Sequence, residues 1–444
     1  MEYWNRKMET MPREQLDRLQ FKRFKNIFTY AYERSPAYRA LYRRHGVAPE
    51  DLKGPEDIRR VPLITKQFFS DSIGDSVYGS TLTCDSAEVM FYHQTSGTTS
   101  RPLPQPDTRD DWYYNGQCWA NALWAHGVRS GDKAMLAFNY NLFIGFWQAH
   151  YGCEKLNVEI VPGGGLPTEV KLQKIRDLGV TVLLTTPSYA FRMAEAAEEM
   201  GLDPRETKVR CVITSGEPGG LVGGVKRKLE EMWNAEVFDN IGATEIGSWG
   251  FECTAHSGGL HINESCFLPE IIGLEDDEPI TEPGKYGRLV LTNFFRTARP
   301  CIRFNSNDIA CWSAEPCPCG RTYRTLKGGI QGRTDHILKV QGTFINPVII
   351  EDCVNKFEKC SQEYQITIHE DNKRITVTAE SAPGISEHEF PAVAGELARR
   401  IRSATFVGMN VDIVPYGSMA RSESKSKRVI DLRDKEAIIW KTKQ

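Results

Sequence analysis

The sequence predicts an α/β protein whose large N-terminal domain contains α/β sheets and a β-rich subdomain, followed by a small α+β C-terminal domain. From about residue 130, short apolar runs alternate with amphipathic segments, which is typical of a sheet covered by helices. After about residue 285 the segments become strand-rich, and a compact α+β pattern of about 110 residues follows. We expect residues 1–333 to form the large domain and residues 334–444 the small one.

Composition and charge argue against several classes of protein. The chain has 444 residues, is 40% hydrophobic and 25% charged, and carries a formal net charge of -3 without a long basic block. Such a chain has no electrostatic basis for nucleic-acid binding. No apolar run reaches the roughly 18 residues of a membrane span, and the polar N-terminus is unlike a signal peptide. We expect a cytoplasmic protein with twelve reduced cysteines and small-molecule partners, without nucleic acid or membrane, and leave a homodimer open.

Helices and strands can be assigned in chain order. Apolar residues recur at helical spacing over 13–46, and the segments 88–93 and 133–139 are typical of strands. The following segments predict a helix at 171–179 that ends at Gly179, a strand at 180–188, a helix at 189–200 and a strand at 208–218. The remaining predicted elements are a strand at 287–295, a hairpin at 364–380 turning at Asp371-Asn372, a helix at 389–404 and a strand at 410–416.

The segment TSGTTSRP (95–102) follows a predicted strand and concentrates hydroxyl groups around one glycine. Backbone amides and hydroxyls in such a loop can hold phosphate oxygens, as an anion-binding nest does. The residues that would do so are Thr95, Ser96, Gly97, Thr98 and Thr99. A Ser/Thr-rich surface turn explains the octapeptide equally well. The segment is not a Walker A sequence, because the Gly-Lys-Ser/Thr ending is missing.

Other segments add candidate residues for metal, sugar and phosphate. In NIGATEIG (240–247), Thr244 and Glu245 offer a hydroxyl and a carboxylate suited to a phosphate-bound Mg²⁺. Asp308 follows a predicted strand, where its carboxylate can accept hydrogen bonds from a ribose diol. Arg333 and Asp335 lie at the domain junction in GRTDHILKVQG, and Lys425 lies in the polar segment RSESKSKRVID. Each segment alone also fits a capped turn or a solvated charge, but all of them in this order are harder to explain in that way.

In this order, the segments resemble the adenylate-forming superfamily of acyl-CoA synthetases, and most closely its phenylacetate–CoA ligase branch. The resemblance covers nearly the whole chain, from YWN (3–5) and VPLITK (61–66) to GSMARSESKSKRVID (417–431). It implies that the chain activates a carboxylic acid with ATP and Mg²⁺ to an acyl-adenylate, which then reacts with coenzyme A. It also implies that the small domain rotates about a hinge between the two half-reactions.

The resemblance implies a role for individual residues of this chain. For ATP, it implies that Thr95, Ser96, Gly97, Thr98 and Thr99 hold phosphates, that Ser215, Gly216, Glu217, Pro218, Asn240, Ile241, Gly242 and Ala243 line the adenine site, and that Asp308 and Arg333 hold the ribose. For catalysis, it implies Lys425 as the adenylation lysine with Thr244 and Glu245, the latter serving Mg²⁺. For the second half-reaction, it implies Asp335 as the hinge and Lys339 and Gly342 in the loop on the coenzyme A side.

Four positions depart from the pattern of the branch. Ser100 replaces a loop glycine, and Ile241 stands where an aromatic ring usually stacks on adenine. Losing that stacking without replacement would cost roughly 1 kcal/mol of nucleotide binding. His336 replaces an acid after the hinge, and Ser424 replaces the glycine before the catalytic lysine. None of the four removes a charged catalytic group.

Two loops, 251–266 and 311–320, contain five cysteines and two histidines. Cys253, His261, Cys317 and Cys319 can form a tetrahedral zinc site, and some branch members with a CPCG segment carry a similar structural zinc. His256, Cys266 and Cys311 are alternative ligands. Reduced cysteines that never meet are the other interpretation.

The aromatic residues Tyr140, Phe143 and Trp147 are spaced three or four apart after a predicted strand. Such a stripe also fits plain core, but in the branch this region lies beside the acyl group. Aromatic walls favour a flat ring, so we expect an aromatic or arylacetic acid as substrate. The alternatives are a carrier-protein acceptor, a hydroxyl substrate as in coenzyme F390 synthetases, or a non-catalytic nucleotide- or acyl-binding relative.

Overall fold

The computed structural model describes residues 3–95, 102–217, 220–221, 223–256, 258–334, 338–340, 343–345, 347–370, 374–405, 407–421 and 428–432. The helices are α1 (Arg6–Glu9), α2 (Arg13–Arg34), α3 (Pro36–Arg44), α4 (Lys66–Asp71), α5 (Arg109–Ala125), α6 (Gly145–Lys155), α7 (Thr168–Leu178), α8 (Pro187–Glu199), α9 (Gly223–Trp233), α10 (Pro347–Asn355) and α11 (Phe390–Thr405). Within these ranges, no helix is both long and apolar enough to cross a lipid bilayer.

The strands follow the same chain order. They are β1 (Phe91–Gln94), β2 (Pro104–Asp107), β3 (Lys133–Leu136), β4 (Glu159–Pro162), β5 (Val182–Thr185), β6 (Cys211–Thr214), β7 (Glu236–Ala243), β8 (Gly247–Phe251), β9 (Gly259–Ile262), β10 (Phe267–Ile272), β11 (Gly287–Asn293), β12 (Phe304–Ala310), β13 (Thr325–Lys327), β14 (Gly332–Arg333), β15 (Leu338–Val340), β16 (Thr343–Ile345), β17 (Cys360–Ile368), β18 (Ile375–Ser381), β19 (Asn410–Val414) and β20 (Val429–Asp431). Short 3₁₀ turns connect several of these elements.

The N-terminal helical region differs from the prediction of continuous helical spacing over 13–46. It forms two helices, because Ser35 adopts an extended backbone between them and Pro36 begins α3. Proline cannot continue a helix, whereas it suits a first turn. The Ser35 hydroxyl then accepts a hydrogen bond from the Tyr38 amide and caps the second helix.

The predicted strand–helix alternation forms the main sheet, in the order β13-β9-β8-β7-β6-β5-β3-β4. The strands from β4 to β7 run parallel, and β8, β9 and β13 continue the sheet antiparallel. The predicted end of helix α7 is confirmed, since Gly179 follows it with φ 64°, a conformation that favours glycine. All four residues of β5 and of β6 are buried, as expected for strands covered on both faces.

A second sheet of the large domain has the order β10-β11-β12-β14 and confirms the predicted β-rich subdomain. Asp308 lies inside β12 and not after a strand, so this detail of the prediction was wrong. The strand continues past it because Asp308 pairs with Arg333 of β14. At the other end of β12, Phe304 forms a β-bridge with Ile64, which anchors the segment that leads into α4.

The C-terminal part of the described chain has a separate hydrophobic core. Its sheet has the order β19-β18-β17-β20 and is covered by α10 and α11, whose buried residues include Ile350, Leu397 and Ile401. The predicted hairpin is formed by β17 and β18, but its turn at Asp371-Asn372 lies outside the described residues. The boundary between residues 333 and 334 stays a prediction.

A buried ion pair joins β2 to the loop after β11. The guanidinium of Arg296 donates to both carboxylate oxygens of Asp107 at 2.8 Å, and both side chains are buried. Next to it, the carboxylate of Asp111 accepts hydrogen bonds from Thr297 and from the amide of Ala298. Breaking such a pair is costly because it leaves one charge buried without its partner.

We expect Asp107→Asn to lower the free energy of unfolding by about 3–5 kcal/mol, since Arg296 keeps its charge and loses its counterion. Guanidinium unfolding followed by tryptophan fluorescence measures the change. Asp203→Asn is the matched control, because Asp203 pairs with Arg205 at the surface and an asparagine can still cap that turn. Equal effects of the two substitutions would contradict the structural role of the buried pair.

Candidate active site

The carboxyl ends of β5, β6 and β7 bring two predicted adenine segments side by side. Thr214 of β6 is in register with Asp239 of β7, so Ser215 follows at the level of Asn240. The Ser215 amide donates to the Thr185 carbonyl at 3.0 Å. Gly216 has φ 95°, a backbone conformation that favours glycine. Ligands of α/β sheets bind at this edge.

The adenine segments also contact the start of α8. The Ser188 amide donates a 2.7 Å hydrogen bond to the Glu217 carboxylate, which orients this side chain towards the helix. Ile241 is half-buried and packs against the apolar core. Gly242 is exposed, and a Cβ there would lie 2.8 Å from the Gly247 carbonyl oxygen of the neighbouring strand. The chain therefore needs a glycine where β7 turns into β8.

The predicted phosphate loop leaves β1 at Thr95, which is buried. The Thr95 amide donates to the Leu103 carbonyl, and the Leu103 amide donates to the Thr95 hydroxyl at 3.0 Å. These two hydrogen bonds close the neck of the loop just before β2. The Thr95 hydroxyl is therefore an acceptor within the neck.

Thr244 and Glu245 lie in the turn between β7 and β8. Buried side chains donate hydrogen bonds to the backbone of this turn. Arg296 donates to the Thr244 carbonyl at 2.6 Å. Asn293 donates to the Ile246 carbonyl at 2.7 Å. The turn is thus fixed to the same guanidinium that pairs with Asp107, so Glu245 is held in a defined position.

Positive charges surround Glu245. The Lys66 ammonium, at the start of α4, lies 3.8 Å from its carboxylate. Arg299 is fully buried behind it and donates to the side chain of Gln105 at 2.9 Å. Burial, followed by the neighbouring Arg296, lowers the pKa of Arg299 to about 10, and the Glu245 carboxylate opposes that shift. Such an arrangement suits polyanionic phosphates around a carboxylate-bound metal ion.

Lys66, Arg296 and Arg299 were not among the site residues predicted from the sequence. Lys66 is the last residue of VPLITK, one of the segments that carry the resemblance. That segment could therefore have indicated Lys66 as a candidate site residue. The two arginines belong to the segment RTARP (296–300), which matches none of the quoted motifs. Their burial follows from packing between β2 and the loop after β11, which the sequence pattern does not reveal.

The two predicted ribose residues lie together. Asp308 and Arg333 are cross-strand partners of β12 and β14, and the guanidinium lies 3.2 Å from the carboxylate. Arg333 also donates to the carbonyl of Ser306 at 3.1 Å. Both side chains remain partly exposed, so they are accessible to a diol.

The predicted acyl-pocket residues do not form one helical stripe. Tyr140 and Phe143 lie in the loop after β3, and only Trp147 lies on α6. The rings of Tyr140 and Trp147 meet edge to face with centroids 4.7 Å apart, whereas Phe143 contacts Phe138. Burial raises the pKa of the Tyr140 phenol to about 12, so it stays protonated at neutral pH. The Tyr140 hydroxyl lies 3.2 Å from Nδ1 of His150, so the aromatic pair also carries a polar contact.

Several predicted residues cannot be placed. Ser96, Gly97, Thr98, Thr99, Pro218, Asp335, Gly342 and Lys425 lie outside the described residues, as do Ser100, His336 and Ser424. Lys339 lies on β15, of which the backbone alone is described. Their roles stay predictions.

The four predicted zinc ligands meet in one buried cluster. Cys253 follows β8, His261 lies on β9, and Cys317 and Cys319 lie in the loop before β13; their ligand atoms are all within 4.8 Å of one another. The Cys253 and Cys317 sulfurs are 3.6 Å apart, too far for a disulfide. The separation is close to the ~3.8 Å between two thiolates on a tetrahedral zinc with Zn–S bonds of about 2.3 Å.

The alternative ligands lie elsewhere. His256 forms a hydrogen bond with Glu236, and the Cys266 sulfur contacts the Ser265 hydroxyl. Cys311 is not a member of the ligand cluster in the described part of the chain. The cluster also joins distant segments, because Arg321 beside it pairs with buried Glu9 of α1. Three sulfurs and one imidazole in a closed, buried set fit a structural zinc.

Residues 342–433 match the family described as AMP-binding enzyme C-terminal domain. The chain is 32% identical to phenylacetate-coenzyme A ligase of Thermus thermophilus, over 96% of this chain and 98% of that protein. It is 31% identical to the Escherichia coli protein of the same name, over 96% and 97%. A crystal structure of 2-hydroxyisobutyryl-CoA ligase in the postadenylation state with 2-HIB-AMP is similar with TM-score 0.93 and 30% identity, covering 98% of this chain and 93% of that one.

The same ligase in the thioesterification state, with 2-HIB-AMP and CoA, gives TM-score 0.74 over 97% of this chain and 93% of that one. These similarities confirm the predicted α/β fold with a separate C-terminal α+β unit. They extend over nearly the full length of both proteins in each comparison. The chain therefore belongs to the phenylacetate–coenzyme A ligase family of adenylate-forming enzymes and is an AMP-forming acid–CoA ligase.

Proposed function

We propose that this enzyme adenylates an aromatic or arylacetic acid with ATP and transfers the acyl group to coenzyme A. The observation that carries the proposal is the position of Glu245 at the carboxyl edge of the main sheet, with the Lys66 ammonium 3.8 Å away. The names of the curated relatives, phenylacetate-coenzyme A ligases, support the aromatic substrate. The edge-to-face contact of Tyr140 and Trp147 supports a flat ring as well.

In the first half-reaction, a carboxylate oxygen of the acid attacks the α-phosphorus of ATP, and the bond to pyrophosphate breaks. Because both reactants are anions, the step depends on positive charge in the site. Lys66 lies beside Glu245, and Lys425 is the second cation that we assign to this step. A Mg²⁺ ion held by Glu245 and the phosphates would supply further positive charge to the departing pyrophosphate. Asp308 and Arg333 would hold the ribose.

In the second half-reaction, the coenzyme A sulfur attacks the acyl carbonyl and AMP leaves. We propose that the small domain changes its orientation between the two steps, with Asp335 as the hinge and Lys339 and Gly342 on the coenzyme A side. Two TM-scores support this proposal. The same relative matches this chain with TM-score 0.93 in its postadenylation state and 0.74 in its thioesterification state, so its own shape differs between the two states. The higher TM-score supports the domain arrangement of that relative's postadenylation state for this chain, and we propose that adenylation uses the same arrangement.

A polar contact holds the small domain in this arrangement. Glu195 on α8 of the large domain accepts hydrogen bonds from Gln362 at 2.6 Å and from Arg421 at 3.2 Å. Arg421 is itself fixed by Glu380, whose carboxylate accepts from its guanidinium at 2.7 and 2.8 Å. Arg421 lies four residues before Lys425 in the sequence, so this contact fixes a residue close to the lysine that we assign to catalysis.

We propose that the metal bound by the cysteine cluster is zinc. The metal would hold the end of β8, strand β9 and the loop before β13 together, far along the chain from Lys425. Thiolate ligation requires a reduced compartment, in agreement with the cytoplasmic location that we also propose. We assign the zinc no part in catalysis, because four protein ligands leave no open position.

Lys425→Ala tests the proposed function. We expect the rate of acid-dependent pyrophosphate exchange to fall, because the transition state loses about 3–4 kcal/mol of stabilisation. Thioester formation from supplied acyl-adenylate should change much less. The exposed Lys285, replaced by alanine, is the control for loss of a lysine. Exchange near the wild-type rate in Lys425→Ala would contradict the assignment.

Glu195→Gln tests the domain contact. Losing the charge should slow pyrophosphate exchange by about 1 kcal/mol, or about fivefold, because the adenylation arrangement loses a partly buried pair. Thioester formation from supplied adenylate should not slow, since it uses another orientation. Glu199→Gln on the same helix is the control, because its pair with Arg192 is exposed. Equal slowing of both half-reactions would refute the role of Glu195.

Elemental analysis tests the zinc assignment. Purified enzyme should carry about one zinc per chain, and Cys317→Ser combined with Cys319→Ser should lose the zinc and lower the thermal unfolding midpoint. Cys84→Ser, outside the cluster, should do neither. A metal-free wild-type protein of full stability would exclude the site.

A further inference from the structure

A lysine of α7 is buried without a counterion beside a cavity. Lys171 is 5% exposed, and its ammonium donates to the Tyr189 hydroxyl at 2.9 Å. Tyr189 in turn contacts the Thr168 hydroxyl at 2.9 Å. Within the described residues, Lys171 forms no ion pair. Burying an ammonium costs several kcal/mol unless an anion or further acceptors compensate it, and none of the described residues supplies that anion to Lys171.

The cavity beside Lys171 has a volume of about 240 Å³. Its walls include Ala137, Asn139, Gly165 and Tyr189, and none of its lining residues in the described chain is acidic. An ammonium has three donors, and the Tyr189 hydroxyl accepts one of them. Asn139, Gly165, Leu166 and Pro167 are exposed, so the cavity is open to solvent on that side and a ring with a polar substituent can enter it.

The cavity lies where a substrate of this enzyme would lie. Ala137 follows β3, Gly165 follows β4, and Tyr189 lies in the first turn after β5, so the carboxyl ends of three parallel strands surround it. Asn139 is next to Tyr140 and accepts a hydrogen bond from the Gly165 amide at 2.9 Å.

Two contacts connect the cavity to the proposed site. The Tyr140 ring packs so closely on Gly164 that a Cβ there would lie 2.7 Å from it. On the other side, Ser188, the neighbour of Tyr189, bonds to Glu217 of the proposed adenine segment. The cavity thus lies between the proposed acyl wall and the proposed adenine segment.

We infer that the acid activated by this enzyme carries a second anionic group, a carboxylate, at the end remote from the reacting carboxylate, and that Lys171 and Tyr189 bind it. The substrate class is then a ring-bearing dicarboxylic acid. The inference rests on the proposed acid–CoA ligase function and names its substrate class. The ammonium donates to the distal carboxylate, and the Tyr189 hydroxyl orients the ammonium.

Pyrophosphate exchange without coenzyme A tests the inference, with phenylacetate and its ring-carboxylated isomers as paired substrates. The wild-type enzyme should prefer one carboxylated isomer over phenylacetate in kcat/KM. In Lys171→Met, the ratio of the two kcat/KM values should fall by about 10- to 100-fold, the factor for one hydrogen bond to a charged group. Lys171→Arg should restore part of the ratio. Lys174→Met, an exposed lysine of the same helix, should leave the ratio unchanged.

The outcomes separate this inference from the proposed function. Absence of exchange with every acid would contradict the function itself. Exchange with phenylacetate, no preference for any carboxylated isomer and an unchanged ratio in Lys171→Met would overturn the inference alone. Thioester formation with coenzyme A is measured separately, and slowing of that step alone in Lys171→Met would assign the ammonium to a coenzyme A phosphate and would also overturn the inference. If Lys171→Met lowers the unfolding midpoint and lowers kcat/KM equally for both acids, Lys171 has only a structural role and the inference is wrong.

Discussion

The buried pair between Asp107 and Arg296 is the interaction on which the arrangement of the site depends. Asp107 ends the strand that follows the proposed phosphate loop, and Arg296 also holds the Thr244 carbonyl beside Glu245. One guanidinium therefore contacts both of the segments that we propose to bind the phosphates. Burial makes the pair costly to break, so the geometry is fixed before any ligand binds.

Cations without full compensation are a common feature of this edge of the sheet. Lys66 and Arg299 surround a single carboxylate, and Lys171 has a hydroxyl as its hydrogen-bond partner in the described chain. The substrates of an acid–CoA ligase are anions, and anions would supply the missing charge. A site organised in this way binds weakly to neutral molecules, because its buried donors would then stay unpaired.

The large domain and the small domain are held by different kinds of contact. The cysteine cluster and the Arg321–Glu9 pair are buried and join segments of the large domain permanently. Glu195 joins the two domains through two hydrogen bonds at a partly exposed surface. A contact of that strength can be broken in each catalytic cycle, as a change of orientation between two half-reactions requires.

The sequence by itself determined the α/β class and the course of most elements, because apolar periodicity is a local property. It offered Cys253, His261, Cys317 and Cys319 as one possible ligand set, and the structure decided that these four meet. The family resemblance implied that Asp308 and Arg333 both hold the ribose, and the structure shows that they are cross-strand partners. The sequence did not indicate that Asp308 lies within a strand, that Tyr140 and Phe143 precede α6, or that Arg296, Arg299 and Lys171 are buried. Burial of a charged side chain depends on which distant segment packs against it, and only the tertiary structure decides that.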